Sequence, residues 1–328
     1  MPPRSRASLP GGLALVLGLS ASSITGCTSL QRIAADQAAE LAEAGSLGFN
    51  GFWDYEIFGR AVPSAILQEE ALIRVSPDNE NMLTGLARTY TVYAYGWMSN
   101  EWELADDRGD FEEADRLEKR IQLVYKRASE LALRVVHAHD DEEQLHAVLK
   151  AKKLEPLQAY LRKVFTDEDD VPGLYWAGLT WGAMMANSGG DLAVLADAPF
   201  ARALLERSVE LDPTYADAGG LGSLGTVEAS FPELFGGNLE KAKGYYERAL
   251  EVCKRRNHLI LLSYAKTYAV AKQDRELFVK LLREILEAPD QGDDLRMNNK
   301  VARHRAERYL RKVDDWFPPP LASTPPSE

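Results

Sequence analysis

The sequence predicts an all-α protein, an array of paired helices stacked into an α-α superhelix. Two observations carry that expectation. Apolar residues recur at spacings of three and four from Arg60 onward, with few alternating strand runs, and several helix-pairing motifs repeat along the chain. A third observation sets what flanks the array: a hydrophobic leader runs up to Cys27, and a proline-rich tail begins at Pro318.

The leader comes first. Arg4 and Arg6 form a short basic region, followed by an apolar body of Leu13, Leu15, Val16, Leu17 and Leu19. That body is too short for a permanent span, which takes about 20 apolar residues, and reads as a secretory signal. It ends in Ile24-Thr25-Gly26-Cys27, which resembles the bacterial lipobox: an aliphatic residue, two small ones, then cysteine. The resemblance implies that residues 1–26 are removed and that Cys27 is acylated. Several acyl chains on one residue anchor durably, at about 0.8 kcal/mol per buried methylene. Thr28, standing where an aspartate favours inner-membrane retention, points to the outer membrane. The expected location is therefore the periplasm, with a lipid anchor.

Residues 27–59 form the lipidated N-terminus and a linker. Ser29 to Ala44 is an amphipathic, alanine-rich stretch suited to lie near a membrane, and Gly45, Gly48 and Gly51 interrupt it. The helical domain is expected over residues 60–317. Its pieces are Ala61–Val75, Glu80–Trp102, Phe111–His137, Glu143–Val164, Leu174–Ala186, Pro199–Leu211, Tyr215–Glu228, Leu239–Lys254, His258–Ala271, Arg275–Glu287 and Asn299–Lys312. The tail, residues 318–328, holds Pro318-Pro319-Pro320 and Pro325-Pro326; it cannot continue a helix and is expected to be disordered.

Within the helical domain the repeats resemble tetratricopeptide units. Leu83-x2-Leu86-Ala87-x2-Tyr90 fits the first helix of such a unit, and Leu261-x2-Tyr264-Ala265-x2-Tyr268 repeats its spacing. Ala201-x3-Leu205-x2-Ser208-x4-Pro213 and Ala242-x3-Tyr246-x2-Ala249 fit the second helix. The small residues let the paired helix approach, and the tyrosines fill the adjacent groove. The stretch from Ala201 to Ala242 exceeds the usual repeat of roughly 34 residues. Phe231 to Gly237 explains the excess. Pro232, Gly236 and Gly237 break helix there, while Phe231, Leu234 and Phe235 are large and apolar, so the segment either caps the core between two repeat units or forms a candidate partner or ligand surface.

Composition narrows the function. With 328 residues the chain can bury a sizeable core, and a formal net charge of −12 repels phosphate backbones, so nucleic acid is not an expected partner. Of the two cysteines, Cys27 is committed to acylation and Cys253 reads as a small buried residue.

Several blocks, in order, resemble the T-component family of tripartite ATP-independent periplasmic (TRAP) transporters. They are Val171-Pro-Gly-Leu-Tyr175-Trp176 with Trp181, Leu204 to Asp212, Phe231 to Ala242, Tyr264 to Tyr268, Asp274 to Phe278, Asn298 to Ala302 and Asp314-Asp-Trp-Phe317. The similarity spans nearly the whole mature chain. It implies a tetratricopeptide-like periplasmic lipoprotein, an accessory subunit that binds the transporter's soluble substrate-binding protein and offers a cleft for a small organic ligand, apolar or carboxylate. Candidate binding residues are Tyr175, Trp176, Trp181, Phe231, Leu234, Phe235, Gly236 and Gly237. Homo-oligomers are compatible with such a role. The alternative is a lipidated tetratricopeptide-like scaffold for envelope assembly. The chain departs from the family at Asn187-Ser-Gly-Gly190-Asp191, a glycine-rich version of a variable loop, and at Trp316, where leucine is common.

Other patterns point elsewhere and are weaker. Gly220-x-Gly222-x2-Gly225 matches a dinucleotide fingerprint, but no strand precedes it, so the glycines read as close helix packing. His137, His139 and His146 lie near Asp140 to Glu143, yet read as a solvated turn rather than a metal site. Tyr90, Tyr93 and Trp97 share a helix face and read as core, with Tyr95 and Trp102 off it. No nucleophile-base arrangement suggests an enzyme, and no cofactor is expected.

Overall fold

In the computed structural model, which describes residues 30–42, 44–138 and 142–317, every regular element is a helix. The leader, Cys27, His139 and the proline-rich tail lie outside the described residues. The main elements are α1 (Tyr55–Val75), α2 (Glu80–Tyr93), α3 (Ser99–Asp107), α4 (Phe111–Ala138), α5 (Glu142–Lys150), α6 (Leu154–Val164), α7 (Val171–Ala186), α8 (Ala198–Leu211), α9 (Tyr215–Ser230), α10 (Leu239–Val252), α11 (His258–Ser263), α12 (Arg275–Glu287) and α13 (Arg296–Arg311). Side chains set many of the starts. Asp54, Asn79, Asn238, Asn257 and Asp274 each accept a hydrogen bond from a backbone N–H in the first turn of the helix that follows, satisfying donors that have no partner within the helix.

Most helices pack on their chain neighbours, α1 on α2, α3 on α4, α7 on α8, α9 on α10 and α12 on α13, and α4 also packs on α7 across the chain. Where helices cross, small residues are buried completely: Ala87, Ala242, Ala249 and Ala265 have no exposed surface. The glycine run of α9 does the same work. A Cβ on Gly220 would stand 2.7 Å from Val209 Cγ2, one on Gly222 2.9 Å from Ile260 Cγ1, and one on Gly225 3.0 Å from the Tyr246 ring. The fingerprint-like spacing is thus a crossing surface for α8, α11 and α10, and it holds no strand-to-helix turn.

Two departures from regular helix matter. Ala216, Asp217 and Ala218 have positive φ, a left-handed turn that L-residues adopt at roughly 1–2 kcal/mol each, so the right-handed run of α9 starts after them. Asn257 holds this turn by donating to the carbonyls of Ala216 and Asp217 at 3.4 and 3.1 Å. The other departure is a pair of π-helical turns, Ala94–Met98 joining α2 to α3 and Tyr264–Ala269 following α11. Regular α-helix was expected through both. A π turn widens the helix and releases carbonyls from the usual ladder, and those carbonyls then need donors from elsewhere.

Candidate functional site

The donors come from the two ends of the chain. Tyr55 at the start of α1 donates its hydroxyl to the Gly96 carbonyl at 2.6 Å, and Arg305 of α13 donates Nη2 to the Tyr95 carbonyl at 2.6 Å. The last long helix thereby closes on the first ones. Trp97 fills the same junction, stacked on Tyr55 and Phe58 with centroids 4.9 and 5.3 Å apart. Gly59 makes room: a Cβ there would overlap the indole.

Around this junction lies an ionic seam. Arg305 is only 2% exposed and sits over the Tyr95 ring, 4.3 Å from its centroid. One turn further, Arg308 donates to Asn100 Oδ1 at 2.7 Å and pairs with Glu103. Glu103 also receives Lys266 from the second π turn and the Tyr309 hydroxyl, the latter at 2.9 Å to each carboxylate oxygen. Lys312 pairs with Asp107 at the edge. On Glu103 of α3, side chains from α13 and from the second π turn converge. Burial pushes the Arg308 guanidinium below its ordinary pKa.

A smaller polar clasp lies beside it. Asn299 of α13 accepts from the His258 backbone N–H and donates to the Arg256 carbonyl, both at 2.9 Å. The His258 imidazole is buried, and desolvation, then the nearby Arg303, holds its pKa below 6.5. Such a group opposes unfolding fully above the unfolded value. Its contribution is lost as the pH falls through that value toward the folded one, because only the unfolded chain takes up the proton there. We expect the His258 ring to titrate below pH 6.5 by NMR; a midpoint at or above 6.5 would place it in water.

The segment Phe231 to Gly237 is a fixed projection. Phe231 is buried against the core, and Glu233–Phe235 form a single 3-10 turn. Gly236 takes φ of +85°, which favours glycine, and its carbonyl accepts from Arg202 Nη2 at 2.7 Å. Gly237 lies directly under the Phe231 carbonyl, where any Cβ would collide. Arg202 also pairs with Glu228 at 3.2 Å, and burial raises the Glu228 pKa. The pinned turn presents Leu234 to solvent at 87% exposure. The structure describes the backbone of Phe235 but not the surroundings of its ring.

The remaining expected binding residues face inward. Tyr175, Trp176 and Trp181 are all buried in the core, Tyr175 edge-on to Trp176 and Tyr215 at centroid distances of 5.0 and 5.4 Å. Tyr90 and Tyr93 pack half-buried against the same core, and Cys253 is buried and free. His137 and His146 line a cavity with Pro77, Asp78, Leu83 and Arg134, and no group of three metal-ligating side chains forms among the described residues. Sequence reasoning missed Glu103, Lys266, Arg305 and Arg308. One signal was present: Arg305 lies on the same three-and-four stripe as Val301, Ala302 and Tyr309, so an arginine occupies an apolar register.

Comparison with known proteins adds the family. The model of the family described as TRAP transporter T-component matches residues 53–317. The chain is also similar to an uncharacterised protein of Treponema pallidum (strain Nichols), 24% identical over 276 residues, covering 80% of each chain.

Proposed function

Because this chain belongs to the TRAP transporter T-component family, we propose that it serves as the membrane-anchored periplasmic accessory subunit of such a transporter and binds its soluble substrate-binding protein. The observation that carries this reading is the extent of the family match, which takes in every long helix from α1 to α13. The leader and Ile24-Thr25-Gly26-Cys27 support export, loss of residues 1–26 and acylation at Cys27, with Thr28 favouring the outer membrane. Residues 27–59 then lead from the anchor into the binding domain, with Ala35 and Ala39 already packed on its core. The fully buried alanines at the helix crossings support a tetratricopeptide-like stacking of the pairs.

The partner surface includes the projection at Leu234. An exposed leucine on a pinned turn gains little from water and much from a partner's apolar surface. Leu234→Ser should leave the denaturant midpoint unchanged, because the side chain touches little of its own fold. It should weaken binding of the substrate-binding protein about tenfold, the value of one buried leucine. Titration calorimetry with the wild type and Leu234→Ser reads this directly. Equal affinities would remove Leu234 from the surface, and a lowered midpoint would mean that it packs against the fold.

A further inference from the structure

The first helix of the described chain is turned inside out. In residues 30–42 the side that packs on the protein carries Ala35 and Ala39, both buried in the cluster that contains Val62, Ile66 and Ile73. The roughly opposite side carries Leu30, Ile33 and Leu41, which helical spacing puts on one face and which are all more than half exposed. Polar contacts fix this orientation. Asp36 accepts from Ser76 Oγ at 2.6 Å and from Asn79 Nδ2 at 2.7 Å, and Arg32 pairs with Asp78 at 3.0 Å. The helix cannot roll its leucines inward without giving these up. The exposed apolar series continues beyond it through Phe49, Trp53 and Ile57.

The amphipathic helix of a soluble protein puts its large apolar side chains on the core and its small or polar ones outside. Here the order is reversed, and the reversed helix begins close after Cys27. Leu30 stands three residues after Cys27, and three residues extend at most about 10 Å. An acyl group on Cys27 therefore holds this face within reach of the lipid surface. With a net charge of −12, the chain gains nothing from an anionic leaflet by charge, so the contact must be apolar.

We infer that Leu30, Ile33, Leu41, Phe49, Trp53 and Ile57 form a membrane-docking face, seated at the boundary between headgroups and acyl chains beside the anchor. An interfacial helix buries its apolar side roughly 5–10 Å into that boundary, and tryptophan favours the same depth. The inference rests on acylation of Cys27. Its consequence is a fixed orientation: the protein stands on the membrane by this face rather than swinging on a free tether.

The test uses the acylated mature protein reconstituted into vesicles of phosphatidylethanolamine and phosphatidylglycerol, with and without brominated acyl chains. Mass analysis of the N-terminal peptide reads acylation, and tryptophan emission reads depth. Emission should fall in brominated vesicles, and most of that fall should vanish in Trp53→Phe. Ile33→Ser with Leu41→Ser should shift the docked-to-undocked ratio by about tenfold per side chain and so reduce quenching, with an unchanged thermal midpoint. An acylated protein whose Trp53 is not quenched would overturn docking and leave the anchor standing. An unacylated Cys27 would overturn both. A homo-oligomer that dissociates in the double serine variant would assign the face to a second copy and overturn docking as well.

Discussion

Glu103→Ala is expected to lower the free energy of unfolding by about 3–5 kcal/mol. Glu103 is the carboxylate that receives Arg308, Lys266 and the Tyr309 hydroxyl, and its side chain is only 11% exposed. Removing it leaves a buried guanidinium and an ammonium without their nearest anion. Asp107, at 3.9 Å from Arg308, is the remaining carboxylate in reach and is already held by Lys312. The penalty is the desolvation of unpaired charge, which outweighs the Coulomb energy of the intact pair. Glu103→Gln keeps an acceptor for Tyr309 while losing the charge, so it should fall between wild type and alanine. Urea unfolding measures all three. Because the seam joins α3 to α13, loosening it should also speed hydrogen exchange in α13 ahead of α7 and α8. An unchanged midpoint in Glu103→Ala would mean that water, not this carboxylate, solvates the seam.

Tyr246→Ala should cost a similar amount, about 3–5 kcal/mol, by a different mechanism. The ring has no exposed surface, stacks on Tyr264 with centroids 4.7 Å apart and covers the space left open by Gly225. Truncation opens a cavity where α9, α10 and the second π turn meet, and helices crossing on glycine have little side-chain material with which to refill it. The hydroxyl contributes separately. It bonds Thr226 at 2.9 Å and Thr267 at 2.8 Å, tying α9 to the π turn. Tyr246→Phe removes only those contacts, and both threonine protons are then available to the carbonyls of Gly222 and Ser263 in their own helices. The expected loss is about 0.5–1.5 kcal/mol. If the alanine variant unfolded at the phenylalanine midpoint, the ring would not be part of the packed core.

The helices were legible because their apolar spacing is local, and the structure begins or ends many of them within a few residues of the expected limits. Phe111–Ala138 and Arg275–Glu287 are the plainest cases. Ala61 was expected to open the first domain helix, yet the helix reaches back to Tyr55, whose hydroxyl and ring are used forty residues later in the chain. That use depends on the π turn at Ala94–Met98, and a π turn leaves no mark in hydrophobic periodicity. The same reason hid the seam. Glu103 and Arg308 lie 205 residues apart, and nothing in either helix alone shows that the last element returns to the first. The glycines of α9 were read correctly as packing, since no strand precedes them. The segment Phe231 to Gly237 was read as a choice between core cap and exposed surface; the structure divides it, with Phe231 buried and Leu234 exposed. The aromatic residues Tyr175, Trp176 and Trp181 carried the family resemblance, and their burial shows that a family motif can mark the core as readily as a surface.

We propose that this T-component receives its transporter's substrate-binding protein at the membrane. The most direct measurement is titration of the acylated protein, held in vesicles, with the purified substrate-binding protein of the same transporter. Saturable binding is expected, surviving high salt because the proposed contact is apolar and weakening in Leu234→Ser. Absence of saturable binding by the folded, acylated protein, with and without the transported solute, would contradict it.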